Sequence, residues 1–198
     1  MTTDETDLKI MLRGGNSTAA LMLGMCYVSG SEGYKKDLDL GLKYLKVAAE
    51  LCHPEALHIM TQLLDGGKYG DLKIKENLSE HIRYLRMLCG ATRVVDFNSL
   101  NNGKDTQKFE RYAWQAYATL GRLYVLLDTL NNLSLGLAMS HRGADVGHMT
   151  ESYFALGMYY GSIEQYETSC MYLEAAANND NSYWANEARK LYNKVVLD

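Results

Sequence analysis

An internal repeat is the feature that most constrains how this chain folds. Residues 19–27 have the form Ala-x-x-x-Leu-Gly-x-x-Tyr, and the same form returns at residues 116–124. A weaker copy occupies residues 152–160, and a degraded copy occupies residues 56–64. The spacing places the marked positions on one side of an α-helix. A chain that repeats one helical segment in this way is expected to stack helical units against each other.

A second apolar pattern follows each copy after a short glycine or asparagine turn. Residues 38–50 match residues 133–145 without a gap, and residues 172–177 form a third copy. Residues 78–88 form a fourth copy, in which the double alanine is lost. Strand signals are nearly absent, because no run of β-branched residues alternates with polar ones.

These patterns predict an all-α chain that folds as a single domain over residues 1–198, a right-handed superhelical stack of helix pairs. Four helix-turn-helix units are predicted at residues 16–52, 54–90, 105–147 and 149–178. Helices at residues 4–12 and 182–196 are predicted to cap the two ends of the stack. Residues 91–105 form the longest interruption and are predicted to be a mobile loop.

Composition and charge limit the classes of function. The chain of 198 residues is 47% hydrophobic, and its 20 Lys and Arg against 24 Asp and Glu give a net charge of −4. Because no segment concentrates basic charge, binding to nucleic acid is not expected. The acidic first residues and the lack of a long apolar segment predict neither an export signal nor a membrane anchor. The four cysteines lack Cys-x-x-Cys spacing, which favours reduced core thiols in the cytoplasm of the producing or host cell.

The first unit resembles the Sel1-like repeat (SLR) family, a close relative of the tetratricopeptide repeat. The family pattern has Ala-x-x-x-Leu-Gly-x-x-Tyr-x-x-Gly in a first helix, a loop with Asp, and a second helix that ends in Ala-Ala-Glu. The matching residues are Ala19, Leu23, Gly24, Tyr27, Gly30, Gly33, Asp37, Tyr44, Ala48, Ala49, Glu50, His53 and Ala56. The resemblance implies an α-solenoid whose first helices line a concave face. It also implies an adaptor or scaffold that binds other proteins.

No motif indicates catalysis, a metal or a cofactor, and we predict that the protein is not an enzyme. Cys52, His53 and His58 look like a metal cluster, but an i, i+5 spacing places His53 and His58 about 140° apart around a helix. His53 falls at a turn position that His148 repeats, so a turn-stabilising role is favoured. Gly103-Lys104 lacks the preceding strand and glycine of a phosphate-binding loop.

The predicted binding surface is the side of the first helices that lies opposite the core. It consists of the positions two residues before and two residues after the central apolar residue of each first helix, with one tryptophan a turn earlier in the third unit. The two rows are Leu21, His58, Ala118 and Phe154, and Met25, Gln62, Arg122 and Met158, and the tryptophan is Trp114. Such a groove is more apolar than a solvated face, so we predict that it binds a protein or a peptide.

The large or planar residues of this surface are the predicted hot spots for the partner, namely Phe154, Arg122 and Met158, with Trp114 and His58 beside them. We therefore expect the double variant Phe154→Ala/Arg122→Ala to bind its partner at least about tenfold more weakly. We expect the same variant to melt almost as the wild type does.

Three alternatives remain open. In the first, the terminal helices fold over the ends of the groove and bury Leu21 and Met25, or Phe154, Arg122 and Met158. In the second, the groove belongs to a small enzyme or a ligand-binding protein, which would gather titratable groups there. In the third, the chain is a viral or pathogen-encoded inhibitor or effector of a host complex, which differs from an adaptor only in its partner. The sequence identifies neither the partner nor the oligomeric state.

Overall fold

The computed structural model describes residues 4–94, 103–127 and 132–197. Within these residues the regular structure is helical, apart from one isolated bridge between Tyr69 and Leu72, which confirms the all-α class. The helices are α1 (Glu5–Arg13), α2 (Ser17–Ser29), α3 (Leu38–Glu50), α4 (Pro54–Leu64), α5 (Leu78–Val94), α6 (Gly103–Leu126), α7 (Leu133–Asp145), α8 (Thr150–Ser162), α9 (Tyr166–Asn179) and α10 (Tyr183–Leu197).

The helices form two compact units. The first unit is Met1–Ala113 and holds α1 to α5 with the first half of α6, and the second unit is Trp114–Asp198. Inside each unit, helices that follow one another in sequence pack together, as in α2 on α3 and α4 on α5, or α8 on α9 and α9 on α10. This consecutive pairing is the arrangement expected of an α-solenoid. The right-handed superhelix and the single-domain organisation stay predictions.

Small residues let the two helices of a pair approach closely. A Cβ atom at Gly24 would lie 2.8 Å from Leu45 Cγ, and one at Gly157 would lie 2.8 Å from the equivalent leucine of α9. On the facing helix α3 the close-contact position is Gly41, and in α9 it is Ser169. The Ser169 hydroxyl donates to the carbonyl oxygen of Gly157 at 2.7 Å. The glycine of the repeat motif therefore sets how closely the paired helices pack.

Stacked tyrosines recur at equivalent positions of the repeat. Tyr27 of α2 stacks on Tyr44 of α3 with ring centroids 5.7 Å apart and an interplanar angle of 10°. Tyr160 of α8 stacks on Tyr172 of α9 at 5.6 Å and 7°. The Tyr27 hydroxyl donates to a carboxylate oxygen of Glu5 in α1 at 2.6 Å, which ties the first helix to the repeat. These tyrosines thus pack within the repeats, as their motif positions predicted.

The predicted equivalence of His53 and His148 is wrong, because the turn after α7 is one residue longer than the turn after α3. His53 is the N-cap of α4, whereas the N-cap of α8 is Met149. His148 corresponds instead to Cys52, and these two residues have φ values of 47° and 58°. The turn after α7 therefore has one additional residue before His148, so the gapless match holds through the helices and ends in the turn.

Helices occur where the two terminal helices were predicted, and the predicted interruption is shorter; the capping role of the terminal helices stays a prediction. Helices α1 and α10 occupy the positions of the predicted caps at residues 4–12 and 182–196. Between the second and third predicted units, α5 continues to Val94 and α6 begins at Gly103. The middle of the predicted loop, residues 95–102, lies outside the described residues.

Candidate interaction surfaces

Three residues of the predicted groove are buried, and the exposure predicted for them is wrong. Phe154 is 7% exposed and packs in the core of the second unit with Leu173 and with Trp184, whose ring centroid lies 5.1 Å from that of Phe154. Helix α10 covers this face of α8, as in the alternative where the carboxy-terminal helix folds over the groove. Leu21 is 5% exposed and belongs to a buried face that occupies more than half of the circumference of α2. Ala118 is fully buried.

Arg122 is engaged inside the second unit. Its Nε donates to Glu151 Oε1 at 2.5 Å, and each of these side chains is 13% exposed. The Thr119 hydroxyl donates to the other oxygen of the same carboxylate at 2.9 Å. The guanidinium carbon lies 4.5 Å from the centroid of the Trp184 ring. This ion pair and the stacked ring link α6, α8 and α10, so the geometry gives Arg122 a structural role.

The other predicted groove residues stay accessible to different degrees. Met25 and Met158 occupy equivalent positions of two repeats, and each is 37% exposed. Gln62 is exposed, while Trp114 is half-buried with the Arg142 guanidinium 6.0 Å from its ring centroid. Their role in binding a partner stays a prediction.

His58 belongs to a packed cluster between α4 and the first half of α6. Its ring stacks on Tyr112 with centroids 3.9 Å apart at 15°, and beside it Lys108 pairs with Glu55 at 2.7 Å. Burial, assisted by nearby cations, lowers the pKa of His58 to about 4 although Glu55 acts to raise it. Burial also lowers the pKa of His53. The imidazole rings of His53 and His58 are therefore neutral near pH 7 and packed, which favours a structural role for both residues.

No group of three or more His, Cys, Asp or Glu side chains that suits a metal ion occurs in the part of the chain that the structure describes. Among the same residues, no helix is both long enough and apolar enough to cross a membrane.

Acid is expected to destabilise the first unit through His58. Because the pKa in the folded state lies below the ordinary value near 6.5, the unfolded state binds more protons between about pH 6.5 and pH 4. The free energy of unfolding should therefore fall as the pH is lowered through this window, and it should not depend on this group above it. Urea unfolding at pH 7.5 and pH 5 would compare the wild type with His58→Gln, whose side chain does not titrate. Equal losses of stability in the two proteins would contradict the expectation.

A groove that the sequence did not reveal lies between α3 and α5 in the first unit. Its volume is about 620 Å³, and its apolar lining comprises Leu42, Val47 and Leu51 of α3 with Tyr84 of α5. Leu51 is 41% exposed, and Leu42 and Val47 are half-buried. None of these three aliphatic residues is among the residues that match the family pattern. The sequence feature that could have identified them is an apolar residue on the outer side of a second helix.

Charged side chains line the same groove, and they are Asp39, Lys43, Lys46, Glu50 and Glu80. Glu50 pairs with Arg83 and accepts a hydrogen bond from the Tyr84 hydroxyl at 2.9 Å. The guanidinium of Arg83, with the Tyr84 hydroxyl, holds the pKa of the Glu50 carboxyl below its ordinary value. The groove thus combines aliphatic, aromatic and charged side chains, as surfaces that bind peptides do.

The chain was compared with protein-family models, with curated proteins and with solved structures. No protein-family model matches the chain, and no curated protein matches its sequence. Among solved structures, it is similar to the crystal structure of a Sel1 repeat protein from Oxalobacter formigenes, with 19% identity and a TM-score of 0.35. The match covers 85% of this chain and 75% of that chain. Membership of the Sel1-like repeat family stays a prediction from the residues of the first unit.

Proposed function

We propose that the chain is a non-enzymatic interaction module that binds a protein or a peptide in the groove between α3 and α5. The observation that carries this proposal is the aliphatic lining of Leu42, Val47 and Leu51 in a concavity of about 620 Å³, in which Leu51 is 41% exposed and the other two are half-buried. Leaving such side chains in water is unfavourable, and a partner that covers them gains the corresponding free energy. The helical repeat supports the same function, because stacked helix pairs build extended binding surfaces.

Adaptor, scaffold and pathogen-encoded inhibitor are the forms of this function that we retain, since they differ only in the partner. The alternative of a small enzyme or ligand-binding protein has its best support in the cluster around His58, where titratable groups do converge. Its members are engaged with one another, Glu55 with Lys108 and His58 with Tyr112. That arrangement favours a packed contact over a site open to a substrate.

The exposed side of α2 is the second surface that we propose for a partner. Met22 and Met25 are 40% and 37% exposed and lie one turn apart. Flexible methionine side chains adapt to different apolar partners. The prediction that the first helices bind a partner is thus kept for α2 in the first unit.

The test is to identify the partner by affinity purification from the native host and mass spectrometry, and then to measure its affinity for variants. We expect Leu51→Asp to weaken binding at least about tenfold, or about 1.4 kcal/mol, because it replaces an exposed aliphatic side chain of the groove by a charged one. Met171→Asp is the matched control, since Met171 is 56% exposed and lies in the second unit.

Each outcome distinguishes the two surfaces. If Leu51→Asp binds as the wild type does and Met25→Asp does not, the partner uses the first helices and the groove between α3 and α5 is the wrong site. If a purified chain of native fold retains no stoichiometric protein partner, the proposal of an interaction module is wrong.

A further inference from the structure

We propose that the surface of α2 that α1 covers is a binding site for a helix of the partner, and that α1 is its internal occupant in the free protein. The partner helix carries the pattern that α1 directs toward this site, a carboxylate at position i with leucine-like side chains at i+3 and i+7. The site is distinct from the groove between α3 and α5, so the inference goes beyond the proposed function and does not depend on that groove.

The structure shows this surface with a helix seated on it. Glu5, Leu8 and Leu12 are at i, i+3 and i+7, which places them within about 60° of one another around α1. Leu8 is 2% exposed, and the Tyr27 hydroxyl donates to a carboxylate oxygen of Glu5 at 2.6 Å. We call this surface the α1 site and define it by the side chains that form one cluster with Leu8, namely Ala19, Leu23, Tyr27, Tyr34 and Tyr44.

Few side chains hold α1 in this site. Of its nine residues Leu8 is the one that is buried, and its N-cap residue Asp4 forms no side-chain capping hydrogen bond. A helix of this length is marginal by itself in water. The other terminal helix, α10, is held by more side chains, namely Ala188, Trp184, Leu191 and Tyr192. Helix α1 is therefore the terminal helix that a competing helix displaces more easily.

Two glycines join α1 to α2 and let α1 leave without disturbing α2. Helix α1 ends at Arg13, and Gly14 and Gly15 follow it. Gly15 has a φ of 83°, and apart from its chain neighbours no atom lies within 4 Å of the position that a Cβ atom would take. Such a joint can change its backbone angles at little steric cost. Helix α2 has its own N-cap, since the Asn16 side chain accepts from the Ala19 backbone N–H at 3.0 Å.

Helix α1 leaves one polar group of the α1 site unsatisfied. The Tyr34 hydroxyl is buried and forms no hydrogen bond with any residue that the structure describes. Burial raises the pKa of Tyr34, and the carboxylates of Glu5 and Asp4 add to this effect, which places the hydroxyl close to α1. A buried polar group without a partner costs free energy. A partner helix with a hydrogen-bonding side chain at this point therefore binds more tightly than α1 does and displaces it.

The first experiment uses a helical peptide of residues 4–15 as the probe. A hydrocarbon staple between positions 6 and 10, which are exposed in α1, keeps the peptide helical. Its Kd is measured by fluorescence anisotropy with the full-length wild type and with Leu8→Asp/Leu12→Asp, the released variant, in which two charges detach α1 from the site. Ile10→Asp/Met11→Asp is the matched control, because these side chains of the same helix are 59% and 44% exposed. Circular dichroism and size-exclusion chromatography check the fold and the oligomeric state.

The peptide is expected to bind the released variant at least about tenfold more tightly than it binds the wild type or the control, because α1 competes for the site in those two proteins. Adding Tyr27→Phe to the released variant should raise the Kd at least about threefold, because the peptide's Glu5 loses a hydrogen bond. Adding Tyr34→Phe should leave the Kd unchanged, because α1 gives that hydroxyl no partner.

The second experiment tests the chemistry of the partner by panning a helix-biased phage library on the released variant. Enriched peptides are expected to carry an acidic residue with leucine-like residues three and seven positions after it, and to compete with the stapled peptide. Unlike the stapled peptide, they should bind at least about threefold more weakly when Tyr34→Phe is added. If the released variant loses more helix than α1 contains, Leu12→Asp alone, at a half-buried leucine, takes its place in both experiments.

The contrary outcomes are distinct. A stapled peptide that binds the wild type, the control and the released variant equally, or binds none of them, would overturn the inference, as would a library without enriched peptides. Enriched peptides that lose affinity with Leu51→Asp but keep it with Tyr27→Phe would bind the groove between α3 and α5, which overturns this inference and supports the proposed function. A wild-type dimer that becomes a monomer in the released variant would identify the occupant as α1 of a second copy instead of a helix of the partner.

Discussion

Replacing Phe154 by alanine is expected to lower the free energy of unfolding of the second unit by about 3–5 kcal/mol. The ring is 7% exposed and packs against Leu173, Ala176 and Trp184, so its removal leaves a cavity that α9 and α10 close only in part. Denaturation by guanidinium chloride, followed by circular dichroism, measures the change. Met158→Ala is the matched control on the same helix, because Met158 is 37% exposed and its truncation should cost less than about 1 kcal/mol.

Adding Arg122→Ala to this variant should lower the stability further, by about 1–3 kcal/mol. The substitution removes the guanidinium from a carboxylate of Glu151 that is 13% exposed, and it unstacks Trp184. The two effects should not add fully, because Phe154 and Arg122 both contact Trp184. The sequence predicted that this double variant melts almost as the wild type does. Such a melting curve would show that α10 does not cover this face of α8.

Two glycine-to-alanine substitutions are expected to change stability in opposite directions. A Cβ atom at Gly41 would lie 2.6 Å from Val28 Cγ2 and 3.1 Å from the Val28 backbone nitrogen, so Gly41→Ala should cost about 1–3 kcal/mol by forcing α2 and α3 apart. Gly90 lies in α5 with open space around its Cα, so Gly90→Ala should stabilise the protein by up to about 1 kcal/mol through helix propensity. Thermal unfolding of both variants shows whether each substitution raises or lowers the stability.

The cause of the loss at Gly41 can be checked with a second substitution. Val28→Ala removes the methyl group that the new Cβ would meet, so the double variant should lose less stability than the sum of the two single variants. If Gly41→Ala stabilises the protein as Gly90→Ala does, α2 and α3 do not pack so closely that a Cβ atom at position 41 would force them apart.

The sequence by itself determined the helices and the contacts between the two helices of a repeat. The spacing of Gly24, Tyr27 and Tyr44 specified which side of each helix meets its neighbour, and the structure places these residues in that contact. Such information is local, because a helix pair is joined by a short turn and its contacts recur with the period of the helix. The class of fold therefore followed from the repeat alone.

Only the tertiary structure decided which of the remaining helix faces stay open. Periodicity places Phe154 opposite the motif leucine of α8, but the residues that cover it belong to α9 and α10, and no pattern within α8 specifies them. The groove between α3 and α5 likewise depends on where two separate helices come to lie. Burial is a property of all the packed neighbours together, whereas a sequence pattern describes one helix at a time.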